Sequence, residues 1–399
     1  MRIIYLPLLN GRKGVVMFWD SIDYNKARKV VCIPNITLSK DLSKDSWTNV
    51  MRNHILSLEK HFPGEYFWHI LIPTGKATQK LNLYNTKQHE LPISGDMMDM
   101  RAFPSIQLKK LLSTIDYDVI YSHLPDWPQV GRYRKKLDTK IYGYSHWSEF
   151  KWSNGVDARV GKPKYLWFLV EILGILQMET CYVNTQDQKN KILEEASEKF
   201  DSKTVKLLDE KIQIWNLGLP KEDIVESPSK DKRKIIVFNH RPAAYKGYPK
   251  FIKLMEEYRN QRISSGLDEF VVWVPQLTGR VPHSWIDNKK VPKHEYYERL
   301  KDCMVGVQMR QTNYGWSVSA TDCLMNGTPM IWQESDCYRE IDPNGLFWTN
   351  KKDFFKMLDK ILDDDNYRRD LELKAIQRAH ELSENEDRMI KKLHKNLSN

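Results

Sequence analysis

The sequence predicts an α/β protein of two domains, each built on a mainly parallel sheet. Three observations lead there. Short apolar runs recur along the chain with amphipathic stretches between them, the alternation expected of strands joined by crossover helices. The 399 residues suffice for two hydrophobic cores. A composition 41% hydrophobic and 29% charged excludes a disordered or fibrous chain.

In chain order, the first-domain strands are expected at Arg2–Leu8, Lys29–Ile33, Trp68–Ile72, Val119–Ser122, Lys140–Tyr144, Cys181–Asn184 and Ile212–Trp215, with helices between them such as Trp47 to Lys60. Ile3 to Leu9 is too short for a secretory signal, and Asn10-Gly11 closes it as a turn closes a strand. Tyr165 to Met178 is apolar but interrupted by Glu171. It is too short to span a bilayer and reads as a buried helix or one lying on a membrane surface. Residues 221–232 are polar and form the linker, so the expected boundaries are 1–222, 223–382 and a terminal segment 383–399.

The second domain opens on the apolar strand Ile235 to Phe238, which stops at Asn239-His-Arg; Lys246-Gly247 and an amphipathic helix from Pro249 to Arg259 follow. Arg241 and Lys246 therefore flank a loop at the carboxyl end of a strand, where open α/β sheets bind ligands. An Arg and a Lys there can clamp a diphosphate, or be plain surface charges. About seventy residues on, Thr312 to Trp332 reads as loop, helix, tight turn and buried strand. The helix starts near Ser317, a ready anion site. Asp322 lies one to two turns inside it, within reach of a ribose hydroxyl, and Gly327-Thr-Pro ends it. The helices Asp353 to Asp363 and Tyr367 to Leu382 follow, with Asp363-Asp-Asp365 between them as a solvated cap.

These two segments resemble the C-terminal half of retaining GT-B glycosyltransferases, enzymes with two Rossmann-like domains facing each other across a cleft. The resemblance is carried by Arg241…Lys246-Gly247 and by Tyr314…Asp322…Gly327-Thr-Pro329, and it covers residues 210 to 380. It implies that Arg241, Lys246 and Gly247 hold a donor pyrophosphate and that Asp322 meets the ribose. The family's first Glu falls on Tyr314, so the sugar-facing carboxylate is absent and the backbone of Gly315, Trp316 and Ser317 is left to supply donors. Backbone near Val291 would hold a uracil-like base, as in a UDP-sugar donor; the segment is equally a plain strand–helix connection with a proline, and the sequence itself does not specify the base. Leu217-Gly-Leu-Pro220 looks like the loop closing the first domain, and Ser383 to Asn396 like the last helix, which crosses back to it. A loop resembling Asn10-Gly-Arg-Lys-Gly14 approaches donor phosphates or acceptor in such enzymes; here it is equally a basic turn.

Catalysis is expected from loops at adjacent strand ends of the first domain. His146 follows the strand ending at Tyr144, with Glu149 three residues on; His123 and Asp126 follow the preceding strand. A neutral His there can orient a sugar hydroxyl or shuttle a proton, or be structural. In a retaining enzyme of this type the donor phosphate takes the acceptor proton, and Arg241 and Lys246 stabilise the leaving diphosphate. No metal or bound cofactor is then required. The five cysteines are scattered, without metal-ligand spacing, as in a reduced, cytoplasmic protein.

The net charge of +10 and pI near 9.1 favour an acidic partner: nucleic acid, an anionic membrane or a phosphorylated acceptor. Gly131 to Lys140 carries five cations, among them Arg132, Arg134 and Lys135, with Trp127, Trp147 and Trp152 nearby in sequence. Such a rim could track DNA phosphates while indoles support an extruded base; it is equally a solvated helix face, and indoles equally stack on sugar rings. Arg241…Tyr245-Lys-Gly-Tyr248, Tyr144-Ser-His146 and the chain length also resemble the phage α-glucosyltransferases of 5-hydroxymethylcytosine DNA. That resemblance implies double-stranded DNA as partner and the host cytoplasm as location. Three readings stand: a transferase acting on hydroxymethylated pyrimidine in phage DNA, one building polysaccharide, glycolipid or glycoprotein, and a non-transferase such as an epimerase or binding module. The oligomeric state is not legible.

Overall fold

The computed structural model describes residues 2–7, 13–18, 23–34, 46–74, 81, 83–92, 105–125, 127, 129–146, 148, 164–230, 232–310 and 315–399. The chain divides into two compact units. The first comprises 1–3, 17–215 and 387–399; the second comprises 4–16 and 216–386.

Strands β1 (Arg2–Pro7) and β2 (Lys13–Phe18) pair with each other in a separate two-stranded sheet. This corrects the expectation that Arg2–Leu8 opens the first parallel sheet. In the sequence, Asn10-Gly11 favours pairing of the strands on either side of it over a place in the sheet.

The first unit's sheet has seven strands: β3 (Arg28–Ile33), β4 (Tyr66–Pro73), β5 (Thr86–Leu91), β6 (Val119–Ser122), β7 (Ile141–Ser145), β8 (Thr180–Val183) and β9 (Ile212–Ile214). Their spatial order is β5-β4-β3-β6-β7-β8-β9, and every described pairing is parallel. Burial of both faces explains the continuous apolar runs, for example Val30 to Ile33, all at most 1% exposed. The helix Ser46–His61 packs Met51, His54, Ile55 and Leu58 inward, a three-four spacing that puts them on one face. At the chain's end, His394 stacks on Phe62 and Asn396 donates to the Tyr182 hydroxyl at 2.7 Å. These residues lie in a continuous helix, Asp365–Ser398, where two pieces were expected: no glycine or proline interrupts the segment.

The second unit's sheet has β10 (Arg233–Val237), β11 (Val271–Trp273), β12 (Ile286–Asp287), β13 (Cys303–Gln308), β14 (Met330–Gln333) and β15 (Leu346–Trp348), in the order β12-β11-β10-β13-β14-β15. All pairings are parallel. Period-two alternation sends Ile236 and Phe238 to one face, against Phe251, Met255 and Phe354, and Ile235 and Val237 to the other, against Leu300, Cys323 and Ile376. The Asp363-Asp-Asp365 triplet is exposed, and Asp364 caps the last helix by accepting from the Tyr367 amide at 2.9 Å; Asp363 has in addition partners that the sequence did not show. Arg262, 1% exposed, forms two 2.8 Å bonds to its carboxylate, and Lys234 adds a third at 3.1 Å.

In each sheet the chain runs outward from one strand and returns to that strand's other side. The order therefore reverses between β3 and β6, and between β10 and β13. At such a switch point adjacent loops diverge beyond the carboxyl ends and leave a crevice.

Candidate functional site

In the second unit, two loops leave the switch point, one after β10 and one after β13. Phe238, Asn239 and His240 carry the first out of the sheet, all at most 3% exposed. Arg241 is exposed, and a 3-10 turn, Ala244–Lys246, brings Lys246 back. Gly247 then adopts φ +75°, and a Cβ there would lie 2.6 Å from the Cβ of Met309, just past β13. Only glycine allows both the left-handed backbone and the close approach of the two loops. Gly247→Ala is expected to cost about 1–2 kcal/mol from the backbone alone, read as a lower denaturant midpoint.

The loop charges are coupled. Lys246 is half-buried, its ammonium 5.3 Å from the centre of the Tyr245 ring. Burial, and then the nearby Arg241 charge, push its pKa down to about 8. Two cations held together with partial desolvation are an arrangement that an anion such as a diphosphate would stabilise, by relieving their repulsion. His240 behind them is held neutral, its pKa pushed to about 3 by burial and then by Lys246.

The second loop re-enters at Gly315, Trp316 and Ser317. Ser317 caps the helix Val318–Met325: its hydroxyl accepts from the Ala320 amide and donates to Gln308 Oε1 at 2.8 Å. Gln308 is fully buried at the end of β13, and its amide donates to the Met309 carbonyl and to the Tyr338 hydroxyl. The helix start is thus fixed to the strand end. Trp316 is 9% exposed and its indole N–H has no acceptor among the described residues. Gly327, at φ +68°, ends the helix as its place in the sequence requires.

Asp322 is half-buried, and its Oδ2 accepts from the Tyr296 hydroxyl at 3.3 Å. The Asn239 amide in turn donates to Tyr296 at 2.9 Å and to the Ser319 carbonyl at 2.5 Å. An amide–phenol–carboxylate chain therefore ties the end of β10 to the candidate ribose residue. Val291 is half-buried beside this cluster, and the segment before it is pinned by the Trp273 indole, which donates to the Lys289 carbonyl at 3.1 Å. Sequence reading missed Asn239, Gln308 and Tyr296 as site residues. The signal for Asn239 was its place directly after an apolar strand; Gln308 and Tyr296 gave none.

In the first unit, β6 and β7 end side by side, and the structure brings His123 and His146 together: Nδ1 of His123 lies 2.9 Å from Nε2 of His146. They are 0% and 7% exposed. His54 lies 5.6 Å from His123, ring to ring, and stacks on Trp215 at 4.2 Å; its Nδ1 bonds the Tyr121 hydroxyl at 2.9 Å. Asn184, at the end of β8, accepts from the Tyr144 hydroxyl at 2.6 Å and donates to the His146 carbonyl at 2.7 Å. Burial in this aromatic box lowers the pKa of His54 and of His146 to about 3, and that of His123 well below normal. His54 was not legible as a site residue, because it reads only as an inward position of a helix.

Among the expected acceptor contacts, Arg132 is exposed at the end of the short helix Gln129–Tyr133. Arg134 donates to the Thr139 carbonyl at 3.4 Å, and the Lys135 ammonium lies 3.5 Å from Asp116. The basic run is therefore not a helix face: the helix stops at Tyr133 and the remaining cations lie on a turn. Asp126, Trp147, Glu149, Trp152, Tyr314 and residues 10–12 lie outside the described residues. All five cysteines are buried thiols outside any disulfide. Among the described residues no group of three or more His, Cys, Asp or Glu is arranged to hold a metal ion, and no helix is long and apolar enough to cross a membrane.

Two parallel sheets, each with a switch point and loops of this kind at its carboxyl edge, make the GT-B fold, and solved structures agree. Sucrose-phosphate synthase from Thermosynechococcus elongatus superposes with a TM-score of 0.68 at 12% identity, over 93% of this chain and 99% of that one. A structure described as trehalose-6-phosphate from E. coli, bound with UDP-2-fluoro glucose, gives 0.66 at 11%, over 92% and 98%. HepE of Anabaena in complex with UDP and glucose gives 0.60 at 10%, over 93% and 99%. No protein-family description matches the sequence, and no curated protein matches it.

Proposed function

We propose that this chain is a glycosyltransferase that takes a sugar from a nucleotide-diphosphate donor, a UDP-sugar, and passes it with retention to a hydroxyl acceptor. The observation that carries the reading is the pair Arg241 and Lys246 at the β10–β13 switch point, close enough for Arg241 to depress the Lys246 pKa. In this reading Arg241 and Lys246 hold the diphosphate, Asp322 in its Tyr296 bond meets the ribose, and the backbone of Gly315 to Ser317 faces the sugar. Two structural neighbours were solved with UDP or a UDP-sugar, which supports the choice of donor. The two cations stabilise charge on the departing diphosphate, a role that elsewhere falls to a metal ion. His146, neutral at any working pH, orients a hydroxyl; an imidazole with a pKa near 3 is too weak a base to take its proton.

The acceptor has two readings. Hydroxymethylated pyrimidine in DNA is supported by the net charge of +10 and by exposed Arg132. A sugar or glycan acceptor is favoured by Arg134 and Lys135, which are engaged within the protein. Nucleotide release from a panel of sugar nucleotides separates them when measured with unmodified DNA, hydroxymethylcytosine DNA, hexose phosphates or no acceptor, with mass analysis of the products. A hexose mass on the base selects DNA, and a hexose mass on the sugar selects the second reading. No release with any donor and acceptor would contradict transfer itself.

The Lys246 charge also sets a pH dependence. A lysine whose pKa is lowered to about 8 is charged below that pH and neutral above it. For donor as varied substrate, kcat/KM should therefore fall as pH rises past 8. Arg241→Ala removes a repelling charge and should move this limb upward. A profile flat to about pH 10, where an ordinary lysine titrates, would exclude Lys246 as the phosphate contact.

A further inference from the structure

We infer that His123 is a positioning residue that donates its Nδ1–H to Nε2 of His146 and so holds His146 as the tautomer protonated at Nδ1. The function of that device rests on the proposal that the carboxyl edge of the first sheet handles substrate; the tautomer itself does not.

Two neutral imidazoles 2.9 Å apart share one hydrogen, which leaves two assignments. In one, His146 donates from Nε2, and His123 must then carry its own proton on Nε2. That atom is buried and has no hydrogen-bond partner among the described residues. The His123 ring is surrounded by those of Tyr121, His54 and Tyr144, at 4.8, 5.6 and 5.6 Å between ring centres. A buried N–H without an acceptor carries its full desolvation penalty, enough to disfavour this arrangement by roughly tenfold or more. In the other assignment the same atom presents only a lone pair, and buried under-satisfied acceptors are better tolerated than orphaned donors. His123 then donates from Nδ1, and His146 accepts at Nε2 and keeps its proton on Nδ1. The same reasoning applies to His54, whose Nε2 is also buried without a partner among the described residues: its proton sits on Nδ1, facing the Tyr121 hydroxyl.

Whatever His146 meets through Nδ1 is therefore met by a hydrogen-bond donor. Such a group suits a sugar hydroxyl or a phosphate oxygen as acceptor, and does not suit proton abstraction. Asn184, bonded to the His146 carbonyl, fixes the backbone while His123 fixes the ring.

Histidine 15N–1H correlation spectra of the full chain test this, with signals assigned by their loss in His123→Phe and His146→Gln. The wild type should show His146 protonated at Nδ1 and bare at Nε2. His123→Phe removes the donor; His146 should then shift to the Nε2–H form, and kcat should fall at least tenfold. His123→Asn, whose side-chain amide overlays Nδ1–H, should restore the Nδ1–H form and most of the turnover. A wild-type His146 protonated at Nε2 would overturn the inference, as would a spectrum or kcat unchanged in His123→Phe. If His123→Phe does not fold, the wild-type spectrum decides. An Nδ1–H signal in a chain that transfers no sugar would leave the tautomer standing and remove the proposed activity.

Discussion

Lys246→Ala should lower kcat for sugar transfer by about 10²–10³-fold, the usual loss when one preorganised donor to developing charge is removed. The basis is position and desolvation together. The ammonium is held by a 3-10 turn between strand β10 and a glycine that no other residue can replace without strain, and its charge is already destabilised by burial and by Arg241. A leaving diphosphate gains charge at the transition state, where both cations interact with it more strongly than in the ground state. Arg241→Ala should have an effect of similar size. Arg241→Lys should recover only part of it, because a point charge cannot reproduce a bidentate guanidinium. Steady-state rates of nucleotide release for the three variants, with circular dichroism to confirm folding, check this. Unchanged kcat in Lys246→Ala would place the leaving group elsewhere.

Glu372→Ala should destabilise the second unit by about 3–5 kcal/mol, the cost of leaving a buried charge without its partner. Glu372 and Lys232 are 2% and 1% exposed at their side chains, with the carboxylate 3.7 Å from the ammonium. Lys232 also donates to the carbonyls of Cys303 and Gly327, both at 2.9 Å. It thereby joins the entry of β10 to the start of β13 and to the turn that ends the Asp322 helix. Arg368 adds a 3.2 Å bond to the same carboxylate. Burial lowers the Lys232 pKa, with Glu372 opposing the shift. A lysine lowered in the folded state binds fewer protons there than when unfolded, so stability rises with pH across that interval. The Glu372→Ala defect should accordingly shrink at alkaline pH. Lys232→Met should cost less, because Glu372 keeps Arg368. Urea unfolding at two pH values reads all three expectations, and a Glu372→Ala midpoint equal to wild type would contradict them.

The parts legible in the sequence are those set by local rules. Ile235 to Phe238 is a continuous apolar run because its strand is covered on both faces, and Ser317 and Gly327 bracket a helix by capping alone. Arg241 and Lys246 stood out because they flank the loop at the carboxyl end of a strand, and His146 because it follows directly on one. What failed depends on partners distant in sequence. β5 is polar along most of its length, as an edge strand with only β4 beside it can be, and gave no apolar signal. The bond from Arg262 to Asp363 gave no signal because the two lie 101 residues apart. The histidine pair was named residue by residue, but its contact and the third ring, His54, come from strand register and helix facing, which no local pattern encodes.

Titration calorimetry of UDP into the wild-type chain, Arg241→Ala and Lys246→Ala tests the central claim most directly. Saturable one-to-one binding to the wild type, at least tenfold weaker in each variant and weakening above pH 8, is the predicted result. No UDP binding, or binding equally tight in all three, would contradict a nucleotide-diphosphate site at the β10–β13 switch point.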